Sequence, residues 1–189
     1  MKFFTKIFLI GFFLISNNLE SNAQSITWQK TYGYGNLEYG YSIVQTEDEG
    51  YIAVGRSFAM RLNKFGDTLW RRTYGFTCLQ IEKCPDSNFI ISSLSGDETS
   101  LFKIDLDGNI LWRKYNVGSV FKISNDSFIY VLRDINNVRK YNLNGDSIWN
   151  KNLGTSITLK AIFVQNNDEI VLLAGINDST FNSQSILKI

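Results

Sequence analysis

Three groups of residues in this 189-residue chain are equipped for chemistry by type and spacing. Asp105-Leu106-Asp107-Gly108-Asn109 sets oxygen ligands on alternate positions, as the opening of a calcium loop does. A full loop of that kind would place glutamate at position 116, where the chain has Asn116. The parallel stretches NKFGD (63–67) and NLNGD (142–146) keep the glycine but not the carboxylates. What persists is turn chemistry, glycine for a positive φ and an Asx side chain to bond the backbone. All three therefore read as hairpin turns, and no metal is expected. Cys78 and Cys84 form the second group. On one strand they would stand about 20 Å apart, against the ~7 Å a disulfide tolerates, so two unpaired thiols are expected. The chain has no histidine, which removes Ser-His-Asp and Cys-His nucleophile pairs and every imidazole metal ligand. No catalytic residue and no cofactor is expected, and the chain reads as a non-enzyme.

The third group is aromatic. The stretch TYGYGNLEYGYSI (31–43) concentrates Tyr32, Tyr34, Tyr39 and Tyr41 among Gly33, Gly35 and Gly40. Tyrosine offers stacking area and a hydroxyl, so Tyr34, Tyr39 and Tyr41 are candidate ligand-binding residues for a sugar. The plainer reading makes them packing residues in a connection between sheets. Gly33-x-Gly35 is not followed by the lysine of a phosphate loop. Asp67-Thr68-Leu69, Asp146-Ser147-Ile148 and Asp178-Ser179-Thr180 are similar to an O-glycosylation tripeptide of secreted bacterial proteins, a pattern short enough to recur by chance.

The elements that must position these groups are set by a repeat. Tryptophan stands at Trp28, Trp70, Trp112 and Trp149, at intervals of 42, 42 and 37. Gly66, Gly108 and Gly145 each lie four residues before one of the last three. Asn63, Asp105 and Asn142 precede the same tryptophans by seven, and Arg61, Lys103 and Lys140 stand two residues further back. Between the tryptophans run short β-branched and aromatic segments such as YIAVG (51–55), FIISS (89–93) and FIYVL (128–132), separated by Asn/Asp/Gly turns. These are strand and hairpin signals, four strands to a repeat, with no sustained helical period. A period near 40 residues with four strands per unit predicts an all-β propeller of about four four-stranded blades over 24–189. The four tryptophans are expected on the last strand of successive blades, packed between sheets. The last copy stops at Leu187-Lys188-Ile189, before its turn, so it has three strands, while Ile26 to Gly33 reads as a tryptophan strand without partners. Pairing of that strand with 185–189 would close a ring; otherwise the chain reads as a piece of a larger propeller.

The Asn/Asp-x-x-Gly-x-x-x-Trp turn, followed by TYG and an EDEGYIAVG hairpin, resembles the tryptophan-motif propeller repeats of secreted bacterial proteins. It is similar, more distantly, to the repeats of quinoprotein dehydrogenases and of the outer-membrane assembly propeller. The resemblance covers 26–189 and implies a fold more than an activity. It departs from the quinoprotein pattern: the Asx stands one residue closer to tryptophan, Phe65, Asp107 and Asn144 replace the threonine, and the adjacent cysteine pair is missing.

The N-terminal segment stands apart from the repeats. Lys2 and Lys6 precede an apolar run from Ile7 to Ile15, and a polar stretch ends Ser21-Asn22-Ala23. That order is a secretory signal peptide, cut before Gln24. The run spans only about half of a ~30 Å hydrocarbon core, too short for an anchor. Without Lys2, Lys6 and Glu20 the chain keeps 17 basic and 17 acidic residues. This neutrality gives no reason to expect nucleic acid as a partner. The sequence as a whole reads as a secreted or periplasmic, non-catalytic binding or scaffold module for an unknown glycan or protein, without a membrane span once the signal is removed. The alternatives are an envelope-assembly adaptor that binds partner peptides and a fragment of a quinone-dependent dehydrogenase.

Overall fold

The computed structural model describes residues 28–33, 38–133, 136–154, 157–164, 169–177 and 182–189. Among the described residues, fifteen strands follow one another in chain order. The first sheet holds β1 (Gly40–Gln45), β2 (Tyr51–Gly55), β3 (Phe58–Leu62) and β4 (Thr68–Thr73). The second holds β5 (Thr77–Lys83), β6 (Phe89–Ser95), β7 (Glu98–Ile104) and β8 (Ile110–Tyr115). The third holds β9 (Val120–Ile123), β10 (Phe128–Arg133), β11 (Asn137–Asn142) and β12 (Ser147–Asn152). The fourth has three strands, β13 (Ile157–Val164), β14 (Ile170–Asn177) and β15 (Asn182–Lys188). Every sheet is an antiparallel meander, and no helix occurs among the described residues.

Two tight turns recur in each complete sheet. Between the first and second strands the backbone NH of Thr46, Cys84 or Ser124 donates to the carbonyl four residues on. Glu49, Ser87 and Ser127 take positive φ at these corners, without glycine. Between the third and fourth strands the turn closes on Gly66, Gly108 and Gly145, with φ of 77°, 79° and 83°. The left-handed conformation costs other residues about 1–2 kcal/mol, which is why this position is glycine three times.

The sheets stack face to face. β1 packs on β5, β5 on β9 and β9 on β13, so the first strand of each sheet lines the inner side of an arc. The core lies in three layers between sheets. Ile52 and Val54 meet Ile81, Phe89 and Ile91 in the first. Ile90 and Leu101 meet Phe121, Ile129 and Val131 in the second. Tyr130, Leu132 and Val138 meet Ile162, Ile170 and Leu172 in the third. Alternate residues of one strand thus serve two layers, as a period of two requires.

The structure corrects one expectation. Residues 28–33 form no strand, and among the described residues β15 pairs with β14 alone. Trp28 and Tyr32 are fastened to the 63–67 turn of the first sheet instead. That fastening holds the segment at the other end of the arc from 185–189, so the expected intrachain closure is not made.

Candidate functional site

The three Asx turns are built alike. Asn63 Oδ1 accepts from the NH groups of Phe65 and Asp67, at 2.9 Å each, and Asn63 Nδ2 donates to Asp67 Oδ2. Asn142 does the same with Asn144 and Asp146. At the middle turn the side chains are exchanged: Asp105 Oδ1 accepts from Asp107 and Asn109, and Asn109 Nδ2 donates to Asp105 Oδ2 at 2.9 Å. Both oxygens of Asp105 are engaged, and among the described residues no cluster of three or more metal-ligating side chains occurs. Burial pushes the Asp105 carboxyl upward, but hydrogen bonds from Asn109, Asp107 and Gly108 outweigh it and hold it below the usual range.

Each turn receives the tryptophan of the preceding copy. The indole Nε1 of Trp28 donates to Lys64 O at 3.0 Å, that of Trp70 to Leu106 O at 2.9 Å, and that of Trp112 to Leu143 O at 3.1 Å. The ring lies over the turn glycine: a Cβ at 108 would stand 3.0 Å from Trp70 Cη2. Tyr32 and Tyr74 hydroxyls donate to Gly66 O and Gly108 O at 2.6 and 2.9 Å. Trp70, Trp112 and Trp149 sit on β4, β8 and β12 as the repeat predicts, partly buried; Trp149 packs edge-on against Tyr130. The repeated cations also have structural partners. Arg61 meets Asp48 at 2.8 Å, Lys103 meets Asp86 at 2.5 Å and Leu143 O at 3.1 Å, and Lys140 lies 3.6 Å from the Phe128 ring centroid. The tyrosine hydroxyl in the latch was readable in the recurring TYG of WQKTYG and WRRTYG. The carbonyl acceptors were not, because Lys64, Leu106 and Leu143 share no side-chain chemistry.

Of the candidate ligand-binding tyrosines, Tyr34 lies outside the described residues, while Tyr39 and Tyr41 are 49% and 50% exposed. Tyr41 stands two residues before Ile43 on β1, and both are on its exposed face. The thiols are unpaired, and burial pushes each up to about 12. A thiolate is the reactive species, so these buried thiols are inert packing groups at neutral pH. Thr68 and Ser147 of the tripeptides are exposed at the starts of β4 and β12, and 178–180 lies outside the described residues.

A cleft of about 430 Å3 opens where the second, third and fourth sheets meet, lined by Asp97, Thr99, Asn116, Ser119, Arg133 and Leu159 among others. The β8–β9 connection forms one wall. Asn116 takes φ of 54° and its NH donates to Thr99 O at 2.7 Å. Gly118 NH donates to Thr99 Oγ1 at 3.1 Å. A Cβ at 118 would lie 2.0 Å from Leu132 O, so only glycine lets the connection cross the end of β10 here. No periodic pattern announces this site, since its residues come from three sheets.

The fold is that of solved β-propellers. A protein of unknown function from Bacteroides caccae superposes with a TM-score of 0.58 at 13% identity, over 89% of this chain and 66% of that one. BamB from Moraxella catarrhalis gives 0.59 at 13% identity, over 80% of this chain and 50% of that one. Virginiamycin B lyase from Staphylococcus aureus gives 0.57 at 10% identity, over 79% and 55%. The chain thus spans between half and two thirds of the length of these structures. No family model matches it, and no curated protein matches it in sequence. The fold is a β-propeller fold, with three four-stranded blades and one three-stranded blade among the described residues.

Proposed function

We propose that the chain is an exported, non-catalytic propeller module that works by binding a glycan or a protein. The observation that carries this reading is the rim cleft where the second, third and fourth sheets meet. Its volume of about 430 Å3 falls in the ~300–1,000 Å3 range of small-ligand sites. Its lining combines a carboxylate, a guanidinium, an amide and two hydroxyls, groups suited to orienting a polar ligand. With no histidine in the chain, Thr99 and Ser119 lack the imidazole that activates a hydroxyl nucleophile. Export rests on the charged, apolar and small-residue order of Met1 to Ala23, which lies outside the described residues. The test is a glycan and peptide array probed with the chain, repeated with Arg133→Ala. Retention of one saccharide or peptide class, weakened about tenfold or more by the substitution, is the expected result. Blank arrays, or binding indifferent to Arg133, refute the reading.

One observation favours the adaptor alternative. The outer edge of β15 has no strand partner among the described residues, and an extended peptide can add to such an edge. Peptide binding abolished by Ile186→Pro but untouched by Arg133→Ala would move the site to that edge.

A further inference from the structure

The two charged groups of the rim cleft stand on opposite sides of the β8–β9 connection. Asp97 lies in the turn between β6 and β7, and Arg133 ends β10. On the first side, the NH groups of Asn116 and Gly118 donate to Thr99, two residues from Asp97. On the other, a Cβ at 118 would touch Leu132 O, next to Arg133. One backbone thus separates the two sides, which sets them about two interstrand spacings apart, on the order of 10 Å. Asp48, Asp67 and Asp86 are each paired with a cation. The Asp97 carboxylate has no ion pair or hydrogen bond among the described residues. The Arg133 guanidinium is charged at any physiological pH.

Between the charges lie groups that complement a peptide. The side-chain amide of Asn116 and the hydroxyl of Ser119 have no partner among the described residues. An amide presents a donor and an acceptor together, as a peptide group does. Val120 and Leu159 add apolar area beside them. Of the described residues that line the cleft none is aromatic, so a sugar ring would find no stacking platform. The connection is also fixed in advance: Val117 is buried, Asn116 holds φ of 54°, and both flanking NH groups are bonded to Thr99. A preformed surface spares a ligand the cost of ordering it.

We infer that the cleft takes a short zwitterionic peptide. Its ammonium group meets Asp97, its carboxylate meets the Arg133 fork, and the peptide groups between them bond to Asn116 and Ser119. The inference rests on the reading of this cleft as the binding site and narrows its ligand from a glycan or a protein to a peptide charged oppositely at its two ends. An extended chain advances ~3.4 Å per residue, so about three residues cover the span. A guanidinium grips a carboxylate through two parallel hydrogen bonds, which fixes the direction in which the peptide lies. Free chain termini supply both charges, and so do lysine and glutamate side chains two residues apart.

Titration calorimetry on the chain with trialanine as the probe tests this. Trialanine is expected to bind, and N-acetylation or C-terminal amidation should each raise Kd about tenfold. Asp97→Asn should raise Kd for trialanine by the same factor and leave N-acetyl-trialanine unaffected. Arg133→Ala should do so for trialanine and leave its amide unaffected, because each substitution removes the partner of a charge that the blocked probe no longer carries. Asp97 is exposed and Arg133 half-buried, so both variants should keep the parent circular dichroism spectrum. A Lys-Ala-Glu peptide blocked at both ends separates the two sources of charge: it binds where side chains suffice and fails where the termini are read. Equal affinity for free and blocked trialanine, or substitutions that weaken every probe alike, overturns the inference. A neutral saccharide whose binding Arg133→Ala weakens keeps the cleft as the site and overturns only the peptide. Binding of neither class overturns both.

Discussion

Trp112→Ala isolates what the repeat contributes to stability. The indole on β8 packs against the cluster that contains Phe121, Ile129 and Tyr141, and donates to Leu143 O at 3.1 Å. Removing most of an indole's ~200 Å2 from contact, at ~25 cal/mol per Å2, sets an upper bound near 4 kcal/mol. The hydrogen bond adds about 1 kcal/mol, and exposure of part of the ring subtracts from the first figure. A loss of about 2–4 kcal/mol is expected, lowering Tm by about 5–15 °C. Trp112→Phe keeps a ring and loses the NH, and should cost less than half as much. Gly145 supplies an internal control. Alanine there must hold φ of 83° and would bring its Cβ within 3.3 Å of the indole and 3.0 Å of Lys114 Cε. In the Trp112→Ala background the indole crowding disappears while the backbone strain stays. Urea unfolding of the two single variants and the double should therefore show a coupling of about 0.5–1 kcal/mol. Strict additivity, or a Trp112→Ala chain as stable as the parent, refutes the latch.

Two further expectations rest on the turns. Asn63→Asp sets two carboxylates face to face across the first Asx turn and should cost about 1 kcal/mol, while Asn63→Asp with Asp67→Asn reproduces the 105/109 arrangement and should restore Tm to within about 2 °C of the parent. Acid should weaken the fold in a defined window: hydrogen bonds from Lys30 and Asn63 hold the Asp67 carboxyl low, Thr46 and Arg61 hold Asp48 low, and Asp105 is low despite burial. A carboxyl lower in the folded than in the unfolded chain binds fewer protons when folded, so its stabilisation is present above the unfolded value near ~3.9 and drains away as pH falls below it. Thermal melts should be level between pH 7 and 5 and drop steeply below about 4; an equal Tm at pH 3 and pH 6 defeats this.

The blades were legible because one constraint recurs. A glycine needed both for positive φ and for the ring above it leaves the same mark at Gly66, Gly108 and Gly145, each four residues before a tryptophan. The Trp28 segment was misjudged as a strand because a strand exists only with a partner: its residue types match those of β4, yet among the described residues no edge lies beside it. Tyr41 was ambiguous for a related reason. The same alternating pattern is buried in β5 and β9 and exposed in β1, and the difference is made by a neighbouring sheet, not by the strand's own residues. The rim cleft was unreadable because Asp97, Asn116 and Arg133 converge from two hairpins and the β8–β9 connection through backbone contacts such as Gly118 on Leu132 O.

The distribution of charge links these observations to function. Asp48, Asp67, Asp86 and Asp105 lie in the turns, and each is bound to a neighbouring cation, amide or backbone NH. Arg61 and Lys103 answer them from the third strands, and the tryptophan indoles occupy the turn carbonyls. The carboxylates are engaged within their own turns and blades and the indoles and Lys103 hold one blade to the next, so a metal or an anion would have to displace contacts that the fold itself uses. The proposed recognition falls to the connections at the rim, which the repeat does not use and where Asn116 and Gly118 depart from the Tyr74-Gly75 pattern of the preceding junction.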